Sequence, residues 1–291
     1  MTRTLLALLA PALLAACADG TPHPSPTPVP TPVTQTRAGA GPLSIDDHVP
    51  DFAQRGFEPF ARDDVVAIAL REWRAFGMPV DDDPPDSRPI PSGPALKPER
   101  IPGLWERIGE YWWIGQDPEE REASWTGKHG SDGSVFDFVG DSHYAWSAAF
   151  ISYVMRTAGA GPRFPYSPNH STYINAAASG ATPILRAQPV TGYVPLLGDL
   201  LCAGRGPGAR VRYAMLPTEY GFPAHCGIVV ARMPNQISIV GGNVDDAVAL
   251  THVPVGADGQ LVGPDGVLID SRYPWLTVLQ VIYDVDSEPG D

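Results

Sequence analysis

The phrase HYAWSAAFISYVM, residues 143–155, sets a small hydroxyl, Ser147, on the first turn of a run that is apolar over most of its circumference. Many cysteine hydrolases carry their nucleophile at such a helix N-terminus, where the dipole lowers the thiol pKa and favours a thiolate beside imidazolium. A serine hydroxyl cannot use that ground-state ion pair. It needs an imidazole to take its proton as it attacks, while nearby backbone amides stabilise an oxyanion. Three readings of Ser147 stay open: a nucleophile, a helix cap, for which serine is preferred, or the remnant of a site that has lost its chemistry.

The element that carries Ser147 must be a central, buried helix. Trp146, Phe150, Tyr153 and Val154 line one side of the 143–158 segment, and Gly159 stops it. DDVVAIALREWRAFG (63–77) is amphipathic, with Val65, Ala69, Trp73 and Phe76 on one face. After a proline-rich excursion at 78–102, LWERIGEYWW repeats Leu104, Ile108, Tyr111 and Trp112 at helical spacing. SPNHSTYINAAASG (167–180) suggests another helix. Beyond Gly180 the texture changes to short β-branched or apolar runs, GDLLCAG, HCGIVVARM, QISIVGGN and YPWLTVLQVIYDV, punctuated by Gly, Pro and Asn. Helices first and an antiparallel sheet afterwards indicate an α+β domain.

WSAAFISYVMRTAGAG, GDLLC, HCGIVV and GGNVDDAV, with the upstream EWRAFG and WERIGEYWW, resemble a group of bacterial envelope proteins, domain of unknown function 2272, over roughly residues 60–280. More distantly, the order of parts is similar to the CHAP and NlpC-type papain-like amidases and peptidases that cut peptidoglycan. That resemblance implies a papain-like fold. It also places Ser147 at the nucleophilic cysteine, His225 at the base and Asn243 at the orienting amide. Two departures stand out: serine replaces cysteine, and Gly241 replaces the glutamate of the family's ExN phrase.

Alternation supports the match independently. His225, Gly227 and Val229 share one face of their strand, while Cys226 and Ile228 share the other. Ile237, Ile239, Gly241 and Asn243 share a face of the next. A turn centred on Pro234 sets His225 opposite Asn243 on the same side of the sheet, and a one-residue slip would separate them. Trp146, His170 and Tyr173 are expected as substrate contacts in the same cleft, with a helix-surface or capping role as the open alternative for His170 and Tyr173. Gly140-Asp141-Ser142 resembles the first block of the SGNH esterases, so Ser142 is a competing nucleophile, although no DxxH base motif follows it.

The N-terminus speaks for the compartment. Arg3, the apolar run Leu5–Leu14 and small residues leading to Cys17 have the layout of a secretory signal. The ending LAAC resembles the bacterial lipobox, which implies cleavage after residue 16 and lipid on Cys17. Asp is absent directly after Cys17, which points to the outer membrane, facing the periplasm. Proline at every second position from Pro22 to Pro32 favours an extended polyproline stalk, giving a lipidated stalk at 17–43, a folded domain at 44–286 and a tail at 287–291. Cys202 and Cys226, left in an oxidising space, are expected to form a disulfide. Their spacing fits no zinc site, and no metal or cofactor is expected.

Without residues 1–16 the chain keeps 19 basic residues against 33 acidic ones, a formal charge of −14. Such a surface argues against nucleic acid and anionic lipid headgroups as partners. The oligomeric state is open. The expected activity is hydrolysis of peptide or amide bonds in cell-wall peptidoglycan. The alternatives are a non-catalytic wall-binding or scaffolding lipoprotein and a serine esterase.

Overall fold

The computed structural model describes residues 59–85, 87, 97–117, 119–125, 134 and 144–285. All of these belong to one compact unit within Arg55–Asp291. The signal, Cys17, the stalk, the tail and Ser142 lie outside the described residues.

The fold is α+β. Among the described residues four α-helices, α1 (Arg62–Ala75), α2 (Trp105–Gly115), α3 (Ser147–Thr157) and α4 (His170–Ser179), precede six strands. The strands are β1 (Leu185–Gln188), β2 (Leu200–Gly204), β3 (Ala224–Met233), β4 (Gln236–Val244), β5 (Ala247–Pro254) and β6 (Trp275–Val281). They form one antiparallel sheet in the order β1-β6-β2-β3-β4-β5. The four expected helices and four expected strands are present; β1 and β5 are additional.

Each face of the sheet has its own core. The larger core joins the helices to Leu200, Cys202, Cys226, Ile228, Val240 and Leu279. The smaller sits on the opposite face, where Leu201, Val229, Ile239 and Val278 meet the loop residues Tyr193, Leu261 and Tyr273. Residues two apart on a strand share a core, as the pleat requires. Cys202 and Cys226 are direct cross-strand partners, and they form a disulfide with Cα atoms 4.1 Å apart.

The β3–β4 hairpin turns through Pro234 and Asn235, with Met233 opposite Gln236 and Asn235 at φ 62°. That two-residue turn is centred half a residue later than expected. A bulge between Val229 and Ala231 then shifts the ladder by one, so Val229 pairs with Ile239 and Ile228 with Val240. The bulge restores the facing that a turn centred on Pro234 would have given.

Helix α3 is held by close approach and by a buried charge. A Cβ on Gly115 would lie 2.4 Å from the carbonyl oxygen of Ala149, so only glycine lets α2 come this near. Glu72 of α1 is fully buried. It accepts bonds from Arg107 Nε at 2.6 Å, Tyr111 at 2.7 Å, Arg71 at 2.9 Å and Tyr153 at 3.3 Å. One carboxylate thus ties α1 to α2 and α3, its charge matched by two guanidinium groups.

Candidate active site

Ser147 is the first residue of α3. The preceding Trp146, at the N-cap position, makes no side-chain cap. The Ser147 hydroxyl instead meets Nε2 of His170 at 2.7 Å. Capping therefore does not account for this serine. Trp146 is fully buried, stacked on Phe76, and its indole N–H donates to the buried carboxylate of Glu99 at 2.8 Å. The expected substrate contact at Trp146 is corrected to a core residue that anchors the start of α3.

His170 opens α4, three residues before Tyr173, so both project from one side of the helix. Nδ1 of His170 is hydrogen-bonded to the Tyr173 hydroxyl. Tyr173 is fully buried against Phe164 and does not line the cleft, which removes it as a direct substrate contact. The entry to α4 is fixed to α3 through Ser152, whose hydroxyl donates to the Ser167 carbonyl at 3.3 Å and accepts from its N–H at 3.4 Å. Ser147, His170 and Tyr173 thus form a continuous hydrogen-bonded series between two tethered helices.

His225 lies at the start of β3 with its ring centroid 5.4 Å from that of His170. Its Nε2 rests over Gly241, where a Cβ would come within 2.8 Å. The glycine that departs from the ExN pattern is therefore what makes room for this ring. Asn243 lines the same cleft, but it sits in a bulge between Gly241 and Val244 with φ 57°. Among the described residues, neither the His225 ring nor the Asn243 amide makes a side-chain hydrogen bond. The anticipated His225–Asn243 pair is not formed, because the bulge takes Asn243 off the regular ladder.

These groups open onto a cleft of ≈ 1070 Å³. Ser147, His170, His225 and Asn243 line it with Arg205 and Trp275. Burial, with His225 close by, holds the His170 pKa well below 6.5. Burial and then the Arg205 guanidinium lower that of His225 to about 3. Both imidazoles are consequently neutral at neutral pH, the state in which a ring nitrogen can accept a proton. Burial raises Tyr173 well above 10, so its hydroxyl keeps its hydrogen.

Sequence reasoning placed His170 in the cleft but not beside Ser147. The signal was the i, i+3 pair His170 and Tyr173 at a helix start, two polar rings on one face. Glu72 carried no such signal, since an acid amid arginines on an amphipathic helix reads as a solvated face.

The matching family model covers residues 99–281, described as an uncharacterized protein conserved in bacteria (DUF2272). The chain belongs to that family. No curated protein and no solved structure matches it. Helix α1, with Glu72, lies outside the matched stretch.

Proposed function

We propose that this protein is a periplasmic hydrolase of papain-like architecture whose nucleophile is Ser147. The reading is carried by one observation: a nearly buried serine at a helix N-terminus, in an open cleft, in hydrogen-bond contact with a neutral imidazole. His170 takes the role of general base that the resemblance gave to His225. On attack the serine proton passes to Nε2 of His170, and the free N–H groups of the first turn of α3 stabilise the oxyanion. His225 then stands as a second imidazole at the wall of the cleft.

A cleft of ≈ 1070 Å³ has room for a peptide segment, and the acidic chain argues against nucleic acid or anionic lipid as the substrate. Peptide or amide bonds of peptidoglycan are the proposed target, reached from a lipid anchor at Cys17 on the outer membrane. Digestion of purified peptidoglycan, followed by mass spectrometry of the released fragments, tests the activity. Ser147→Ala should abolish release while leaving the fold intact, whereas Ser147→Cys should retain it. Equal release by wild type and Ser147→Ala removes this mechanism.

The unpaired His225 and Asn243 favour a second reading, a wall-binding lipoprotein that keeps the groove without turnover. It predicts sedimentation with peptidoglycan sacculi and no released fragments from either protein.

A further inference from the structure

The tautomer of His170 follows from counting donors and acceptors. The ring is neutral, so it carries one N–H and one lone pair, and both nitrogens are engaged. Two patterns satisfy the contacts. In the first, the Tyr173 hydroxyl donates to Nδ1, Nε2–H donates to Ser147 Oγ, and the serine hydrogen turns into the cleft. In the second, Ser147 donates to Nε2 and Nδ1–H donates to the Tyr173 oxygen.

The second pattern leaves the tyrosine hydrogen without an acceptor. Tyr173 is fully buried, and among the described residues its hydroxyl has no hydrogen-bond partner other than His170. An unpaired buried donor keeps its whole desolvation penalty, whereas the serine hydrogen in the first pattern meets an open cleft. The first pattern therefore dominates. An aspartate or asparagine oxygen beside Nδ1 would select the opposite tautomer, because it offers an acceptor there.

We infer that Tyr173 is a positioning residue that holds His170 in the Nε2–H tautomer, so that the resting Ser147 is a hydrogen-bond acceptor rather than an activated nucleophile. The catalytic consequence rests on the reading of Ser147 as nucleophile; the tautomer itself does not. Activation requires the tyrosine hydrogen to swing away from Nδ1 and the ring proton to move from Nε2 to Nδ1. Nε2 is then free to receive the serine proton.

The test is nuclear magnetic resonance of the full chain with isotope-labelled histidine, the His170 signals being assigned by their loss in His170→Asn. Wild type should show a protonated Nε2 and an unprotonated Nδ1. Tyr173→Phe keeps the ring and removes the hydrogen donated to Nδ1, so it should shift the population towards Nδ1–H. Ser147→Ala should keep the wild-type tautomer, because tyrosine and not serine sets it. A wild-type Nδ1–H tautomer, or no change in Tyr173→Phe protein of native circular dichroism, overturns the inference.

A fluorophosphonate probe reads the consequence at Ser147. The Oγ–P bond forms, fluoride leaves phosphorus, and the serine proton goes to Nε2. Labelling should quicken in Tyr173→Phe by about tenfold, the size of the released penalty. Slower labelling overturns the inference. If the tautomers behave as expected and neither protein is labelled, the lock stands and the hydrolase reading fails.

Discussion

At the scale of single residues the site is a balance of partners rather than of charges. His170 and His225 are packed ring against ring, and neither is beside a carboxylate that would favour its protonated form. This has a measurable cost in acid. The folded-state pKa of His225 lies near 3, whereas the unfolded chain takes up its proton near 6.5. As pH falls below about 6.5 the unfolded state gains protons that the folded state refuses, so stability is full above that value and is lost progressively below it. His225→Gln removes one such group. Its melting temperature should fall less than that of wild type between pH about 6.5 and 4.5, as read by calorimetry. Parallel curves for the two proteins would contradict the burial assigned to this ring. The place of Ser147 at the start of a buried helix was legible, because a small polar residue there precedes an apolar run. Its partner was not. Pairing across the fold depends on the angle between α3 and α4, which no local pattern encodes.

Among elements, the helices were legible to within a few residues at most ends because apolar spacing and terminal glycines mark them. Helix α4, for example, ends at Gly180 in a left-handed conformation. Two strands escaped for different reasons. β1 is four residues long and carries Arg186 and Gln188, too short for alternation to register. β5, AVALTHVP, follows β4 after only two residues, and its start was absorbed into the phrase GGNVDDAV. The tie between helices was illegible altogether, since it rests on one acid. Glu72 is buried and bonded by groups from α1, α2 and α3. Glu72→Ala leaves Arg107 facing a low-dielectric gap without its partner. A loss of about 3–5 kcal/mol is expected from the broken buried pair, measured by urea unfolding. A change below about 1 kcal/mol, typical of exposed pairs, would mean that solvent reaches this carboxylate.

For the whole molecule, membership of the bacterial family agrees with the resemblance seen in WSAAFISYVMRTAGAG and GGNVDDAV. The disulfide between Cys202 and Cys226 suits a chain that folds outside the reducing cytosol. Its location can be tested without reference to the site. Cys17→Ser should move the protein from the detergent-extracted membrane fraction to the soluble periplasm, judged by immunoblotting of fractions. Unchanged membrane association would set aside lipid on Cys17.

The bulge in β3 acts as a phase correction in a two-beat pattern. Arg232 pairs with Ile237, and Val229 with Ile239, and both of these isoleucines belong to the smaller core. Arg232 and Val229 are three residues apart, yet they present to the same side, because the extra residue near Val230 absorbs one beat. Everything upstream inherits that shifted phase. His225 faces the cleft and Cys226 faces the helices because the bulge takes one residue out of the ladder between them and the turn. Were β3 to run straight through this point, with the turn and every residue kept, the two would exchange faces, turning the thiol of Cys226 towards the cleft and the imidazole into the helix layer. Chemistry at one end of the strand is thus timed by an irregularity near the other, at a residue that touches neither Ser147 nor His170.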